Sequence, residues 1–286
     1  GHEPERHDAD SGAPAAAAEA PAPAACAPTA PAEEDALVYE LMVKMSCGSC
    51  ERAVRGALEG TVGVVDVLKV DHESELVVVR STLSGNEVAK ALTDAGRVAR
   101  LIGTSVDEDT AGKIQVPPEA GPPSENVSCV AEFKGELYGH GPIAGVVRLI
   151  QRTSTTSTLQ AHLSGLEPGK TYTLVVHRFG DPRPGKEGPI FNGKAAEPDQ
   201  ECADANLGML GHAAADAQGE LVFNAPQRLP VWDIIGRGLV VHEGVEPGPE
   251  SRRAASILAR SAVVGANHKR LCTCDGTVIW EASGKI

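Results

Sequence analysis

The stretch LVYELMVKMSCGSCERAVRGALEG, residues 37–60, changes its period halfway along, and that change sets the architecture of the first folded part of the chain. Up to Met45, apolar residues fall on alternate positions: Leu37, Tyr39, Leu41, Val43 and Met45 on one side, with Glu40, Met42 and Lys44 between them. A period of two is that of a strand. Further on, Ala53, Val54, Ala57 and Leu58 gather on one face of a 3.6-residue period while Arg52, Arg55 and Glu59 lie away from it. That pattern predicts an amphipathic helix. Cys47 and Cys50 therefore sit between a strand and the start of a helix.

Two strand-like runs follow, GVVDVLKVD (63–71) and ELVVVR (75–80), joined through a polar turn. In SGNEVAKALTDAG (84–96), Ser84 and Glu87 have the spacing of a capping box, and Val88, Ala91, Leu92 and Ala95 repeat with helical period. A last run, RVARLIG (97–103), completes a β-α-β-β-α-β order, the ferredoxin-like split βαβ arrangement. Residues 36–104 are expected to form this domain. Residues 105–126, rich in Pro, Gly and acid, read as a linker. From Val127 the chain shows short strand-like runs separated by Gly/Pro turns, such as AGVVRLIQ, KTYTLVVHRF and GLVVHEG. Such spacing predicts an all-β sandwich or barrel over 127–262, leaving 263–286 as a short extended tail.

Composition narrows the function classes. A chain of 286 residues accommodates about two domains and their linkers. The net charge of −13 and the absence of a basic cluster argue against nucleic-acid binding, which needs Lys and Arg to displace phosphate counterions. No apolar run approaches the roughly 18 residues of a membrane span, so a soluble protein is expected. Residues 1–35 hold 13 Ala, 6 Pro and eight acidic residues against the single Arg6. That composition cannot build a core and is expected to be disordered. It is also too acidic and too poor in Arg for an organelle transit peptide.

Seven cysteines, four of them in two close pairs, read better as metal or redox sites in a reducing compartment than as a secreted disulfide framework. Cys47 and Cys50, at i and i+3, can converge on one ion, and the positive end of the following helix favours their thiolates. Soft thiolates prefer Cu(I) and Zn(II). Two sulfurs alone do not complete the four-ligand shell of structural zinc, so two-coordinate Cu(I) fits better. A bare CxxC is equally at home as a thioredoxin-like redox pair. Cys272 and Cys274, at i and i+2, place their side chains on the same side of an extended segment. A disulfide between them would have to span close to the upper Cα separation of about 6.8 Å. Such a bridge is strained and readily reduced, which suits transfer rather than storage. Cys26, Cys129 and Cys202 are expected to be idle or buried thiols.

MxCxxC after the first strand of a βαββαβ unit resembles the heavy-metal-associated domain of copper chaperones and copper-pumping ATPases. The resemblance implies Cu(I) at Cys47 and Cys50. Farther along, GLEPGKTYTLVVHRFGD, GPIFNG and IIGRGLVVHEG resemble copper/zinc superoxide dismutase, a Greek-key β-sandwich. That family carries HVHEFGD and GPHFNP where this chain has Val175, His177 and Ile190. His242 matches its last copper ligand, and Asn206 takes the place of its zinc aspartate. Two copper positions thus remain and none of the zinc set, so zinc and dismutase activity are not expected. Weak residual binding by His177 and His242 is the most that set implies. The family's internal disulfide is missing too, with Ala255 at one of its positions.

The order of parts, with CxC at 272–274, resembles the family of copper chaperones for superoxide dismutase, particularly its plant-type form. That resemblance implies a metallochaperone, not an enzyme, with Cu(I) acquired at Cys47 and Cys50. Cys272 and Cys274 would pass it to copper/zinc superoxide dismutase and exchange thiols with the client's internal disulfide. The sandwich would pair with the client in a heterodimer, or with itself in a homodimer when free. The implied contact comprises Phe179, Gly180 and Asp181, Ile235, Gly236 and Arg237, and the run SILARSAV, read as a final apolar strand. Chloroplast stroma or cytoplasm is the implied location. A metal-buffering protein without a client, or a working dismutase fused to a metal-capture domain, are the alternatives.

Overall fold

The structure is a computed structural model that describes residues 36–115, 127–138, 141–193, 207–261 and 264. Cys26, Cys202, Asn206, Cys272 and Cys274 lie outside the described residues.

The first part runs β1 (Leu37–Val43), α1 (Gly48–Glu59), β2 (Val64–Asp71), β3 (Leu76–Ser81), α2 (Gly85–Asp94) and β4 (Ala99–Ser105). The strands form one sheet in the order β2-β3-β1-β4, with β1 antiparallel to both its neighbours. The helices fall in the β1–β2 and β3–β4 connections. Val54 and Leu58 of α1 and Val88 and Leu92 of α2 pack on Leu37, Tyr39, Leu41 and Val43. Helix α2 starts at a complete capping box: Glu87 N–H donates to Ser84 Oγ, and Ser84 N–H donates to Glu87 Oε2 at 2.7 Å. Ala53 and Ala95, expected on the apolar faces, are exposed.

Strand β1 departs from its alternating pattern, because all seven residues are buried, Glu40 included at 1% exposure. Strand β1 is an inner strand of the sheet and is covered on both faces, so alternation in residue type is not alternation in burial. The segment 106–111, read as linker, instead carries a capped turn, α3 (Glu108–Ala111), in which Thr110 N–H donates to Asp107 Oδ1. Its Val106 and Ala111 pack into the first core.

The second part contains β5 (Ser128–Lys134), β6 (Ala144–Gln151), β7 (Ser157–Ser164), β8 (Thr171–His177), β9 (Met209–Ala214), β10 (Leu221–Gln227), the single turn α4 (Val231–Ile234), β11 (Gly238–Glu243), β12 (Arg252–Ile257) and β13 (Ala259–Arg260). Two antiparallel sheets, β10-β7-β6-β5-β13 and β12-β11-β8-β9, face each other as a sandwich. Leu149, Leu159, Leu163 and Phe133 from the first meet Leu174, Val176, Leu239 and Val241 from the second. The core is mostly aliphatic, with Phe133, Tyr172 and Phe191 its buried aromatics, as the 3% aromatic content leads one to expect. The run SILARSAV is not one strand: β12 pairs with β11, Leu258 crosses into the core, and β13 pairs with β5 in the other sheet.

The two parts touch through side chains that the sequence does not single out. Ile150 of β6 joins the first core, and Gln160 Nε2 of β7 donates to Tyr39 Oη at 2.7 Å. Among the described residues, no helix is long and apolar enough to cross a membrane.

Candidate metal and client-binding sites

Cys47 ends the extended segment after β1, at φ −169°, and is the N-cap of α1. Its carbonyl accepts from Cys50 N–H at 2.9 Å, which folds the loop so that both thiols leave the same end of the helix. Met45, buried at the base of the loop, anchors it in the core. The sulfurs stand 3.8 Å apart and are not bonded to each other. This exceeds the roughly 2.05 Å of a disulfide. It falls within the roughly 4.6 Å that two metal–sulfur bonds of about 2.3 Å can span.

Two serines set the acidity. Ser49 Oγ lies 2.9 Å from Cys47 Sγ, and its hydrogen bond is the main reason the Cys47 pKa falls to about 6. Hydrogen bonds from Ser46 lower that of Cys50. At neutral pH the exposed Cys47 is therefore largely thiolate, the form that binds metal. The serines of MSCGSC were the available sequence signal, and a reading centred on cysteine spacing passes over them. A second unanticipated pair braces the helix start. Glu51 Oε1 accepts from His72 N–H at 2.8 Å and lies 2.6 Å from His72 Nδ1, raising the His72 pKa and lowering that of Glu51.

In the sandwich, β8 and β11 are neighbours, with Val175 paired to Val240, His177 to Gly238 and His242 to Thr173. Period two puts His177, Val175, Val240 and His242 on the face opposite Leu174, Val176, Leu239 and Val241. The imidazoles meet with Nε2 atoms 3.4 Å apart, and Val175 occupies the same face, fully buried. Ile190 forms an isolated bridge with His177. Each outer nitrogen is engaged: His177 Nδ1 lies 2.7 Å from Gly188 O, and His242 Nδ1 lies 3.0 Å from Ser251 Oγ. Burial, then the charge His177 would carry, push the His242 pKa down to about 4. Two imidazoles facing each other can offer two nitrogens to a metal. Among the described residues no cluster of three or more His, Cys, Asp or Glu could hold one. Cys129 is buried in the sandwich core, and burial raises its pKa to about 12.

The expected contact residues converge at one end of the sandwich. Gly238 N–H donates to Phe179 O at 3.0 Å, Arg237 Nη1 to Arg178 O at 2.7 Å, and Gly236 N–H to Leu258 O at 2.7 Å. Gly180 lies so close to the Gly236 carbonyl that a Cβ would collide with it. Gly236 itself has φ +85°, a conformation other residues rarely adopt. Asp181 is held by Arg183, whose hydrogen bonds draw its pKa down to about 2. Around this frame Phe179 is 53% exposed and Ile257 41%. An exposed aromatic on a rigid frame is the kind of anchor that protein interfaces use.

A dismutase-like sandwich with Val175 and Ile190 at two histidine positions, joined to a partly exposed thiol pair, has the parts of a copper-handling protein. The copper/zinc superoxide dismutase family (SODC) matches residues 143–265. The copper chaperone for superoxide dismutase of Homo sapiens is 35% identical over 263 residues, covering 86% of this chain and 89% of the relative. The Arabidopsis thaliana protein, named chloroplastic/cytosolic, is 34% identical over 86% of this chain and 70% of its own length. The chloroplastic protein of Oryza sativa subsp. japonica is 36% identical over 86% and 72%. The chain belongs to the family of copper chaperones for superoxide dismutase. These relatives are named as chaperones and not as enzymes.

Proposed function

We propose that the protein delivers Cu(I) to copper/zinc superoxide dismutase and promotes the client's internal disulfide. The reading rests first on the Cys47–Cys50 pair: two unbonded thiols 3.8 Å apart, Cys47 exposed and Cys50 partly so, both with lowered pKa, at the open end of a helix. In this reading residues 36–104 act as a ferredoxin-like heavy-metal-associated domain that acquires copper. The linker 105–126 joins it to the dismutase-like domain 127–262, which recognises the client. The tail 263–286, with Cys272 and Cys274, makes the transfer. Copper moves by exchange of thiolate ligands, so it is never released free. A disulfide between Cys272 and Cys274 takes two electrons from a pair of client thiols, becoming a dithiol as the client's bridge forms.

The client-binding surface is the end of the sandwich carrying Phe179, Gly180, Asp181, Ile235, Gly236 and Arg237, engaged as a heterodimer in place of the client's own partner. The same surface supports a homodimer when no client is present. His177 and His242 contribute at most a weak copper site, and zinc is not part of the sandwich. The protein works in the chloroplast stroma or the cytoplasm, a reading that the plant relatives' names, chloroplastic and chloroplastic/cytosolic, support at the level of chloroplast and cytosol.

Mixing the chain with metal-free dismutase and measuring mass by light scattering tests the heterodimer directly. The double variant Cys272→Ser, Cys274→Ser should still associate but fail to activate the client. Activation at the wild-type rate would refute the tail's role, and no association at all would refute recognition by the sandwich.

A further inference from the structure

Between β4 and the outer face of the five-stranded sheet lies a cavity of about 210 Å³, lined by Ile102, Gly103, Thr104, Ser128, Arg148 and Ser261, among others. Each liquid water takes about 30 Å³, so there is room for several waters or for one small solute and its shell. The polar groups of the lining are unusual in having little else to do. Arg148 makes no hydrogen bond or ion pair among the described residues. Glu132, the carboxylate whose charge it feels, is ion-paired with Lys134 at 3.2 Å. The nearby Tyr39 hydroxyl is neutral and already accepts from Gln160. Desolvation lowers the Arg148 pKa to about 10 against the opposing charge of Glu132, although the side chain remains partly exposed. Thr104 Oγ1 is buried with no partner. Ser128 and Ser261 share one hydrogen bond of 2.7 Å, which uses one of their two hydroxyl protons and leaves the other to donate.

No carboxylate lines the cavity. A partly desolvated guanidinium with no carboxylate in the lining is under-compensated, and neutral hydroxyls cannot balance its charge. A planar fork of donors flanked by hydroxyls matches an oxyanion, which Arg binds with two parallel hydrogen bonds.

We propose that this cavity binds a small tetrahedral oxyanion of the size and charge of inorganic phosphate, with Arg148 as its principal ligand and Thr104, Ser128 and Ser261 as hydroxyl donors. These residues come from β4, β6, β5 and the position directly after β13. A bound anion therefore ties the thiol-bearing first part, the sandwich and the root of the segment that leads to Cys272 and Cys274. The site is independent of copper and of the thiols.

The test is titration of the full metal-free chain with inorganic phosphate at constant ionic strength, followed by calorimetry and by ³¹P line broadening. Wild type should bind one phosphate saturably, sulfate should compete, and Arg148→Met should abolish binding. Phosphate and sulfate also stabilise proteins non-specifically, so it is the difference between wild type and variant that decides. Thr104→Val, nearly isosteric, should weaken affinity about tenfold, the loss expected for one hydrogen bond to a charged group. That variant serves if Arg148→Met does not fold. No saturable binding, or equal binding by the variants, would overturn the proposal. Acetate binding as tightly as phosphate would overturn the assignment to tetrahedral anions.

Discussion

Tyr39 Oη and Gln160 Nε2 are 2.7 Å apart although 121 residues separate them in the chain, and both side chains are buried. The bond joins β1 of the first part to β7, the third strand of the sandwich. Desolvation, only partly offset by the Gln160 hydrogen bond, raises the Tyr39 pKa.

Tyr39→Phe removes the acceptor and leaves the Gln160 amide buried and unpaired. An unsatisfied buried donor costs about 1–3 kcal/mol. Denaturation midpoints should fall accordingly, whereas Tyr39→Phe combined with Gln160→Leu should recover much of the loss. An unchanged midpoint in the single variant would show that the bond contributes nothing.

Ser49 is expected to govern the reactivity of Cys47. Ser49→Ala should raise the Cys47 pKa from about 6. The pH–rate profile for iodoacetamide alkylation should then shift to higher pH, with severalfold slower reaction near pH 6.5. Ser46→Ala should act on Cys50 instead. Identical profiles in wild type and Ser49→Ala would remove the serine from the site's chemistry.

His242 makes the metal-free sandwich sensitive to mild acid. Its folded pKa of about 4 lies below the ordinary value of about 6.5, so the unfolded chain binds the proton more readily. Stability contributed by the neutral form is fully present above pH 6.5 and is lost as pH falls toward 4. His242→Gln should flatten that part of the stability curve, measured by urea denaturation between pH 7 and 4.5. A curve with the same slope in the variant would exclude His242 as its source.

Gly180→Ala places a methyl group against the Gly236 carbonyl. Overpacking of this kind costs about 1–3 kcal/mol. The damage is local to the end of the sandwich that bears Phe179, so association with metal-free dismutase should weaken more than the melting temperature of the chain falls. Client binding of wild-type strength in a folded Gly180→Ala protein would place the contact elsewhere.

What could be read in advance was mostly local. The Ser84–Glu87 capping box spans four residues and its pattern is its mechanism. Cys47 and Cys50 lie within one helical turn, so spacing alone brings them together. His177 and His242 were reachable because each stands in a strand motif, although 65 residues apart. The burial of Glu40 and Met42 depends on what covers the second face of β1, which no property of that strand reveals. The break at Leu258 was hidden for a similar reason. SILARSAV is apolar enough for one strand, and only the competition between two sheets for its pairing divides it.

Strand β13 contributes just Ala259 and Arg260, and its backbone partners are Val130 and Cys129 at the margin of the five-stranded sheet. Tension applied from the C-terminal side would be borne first by the bonds from Val264 N–H to Ser105 Oγ and from Ser261 N–H to Ser128 O, then by this two-residue zip, while Leu258 stays lodged in the core as a stop. The last segment can thus be lengthened by a few residues of peeled strand without unseating the sandwich, giving whatever it carries extra reach at small mechanical cost.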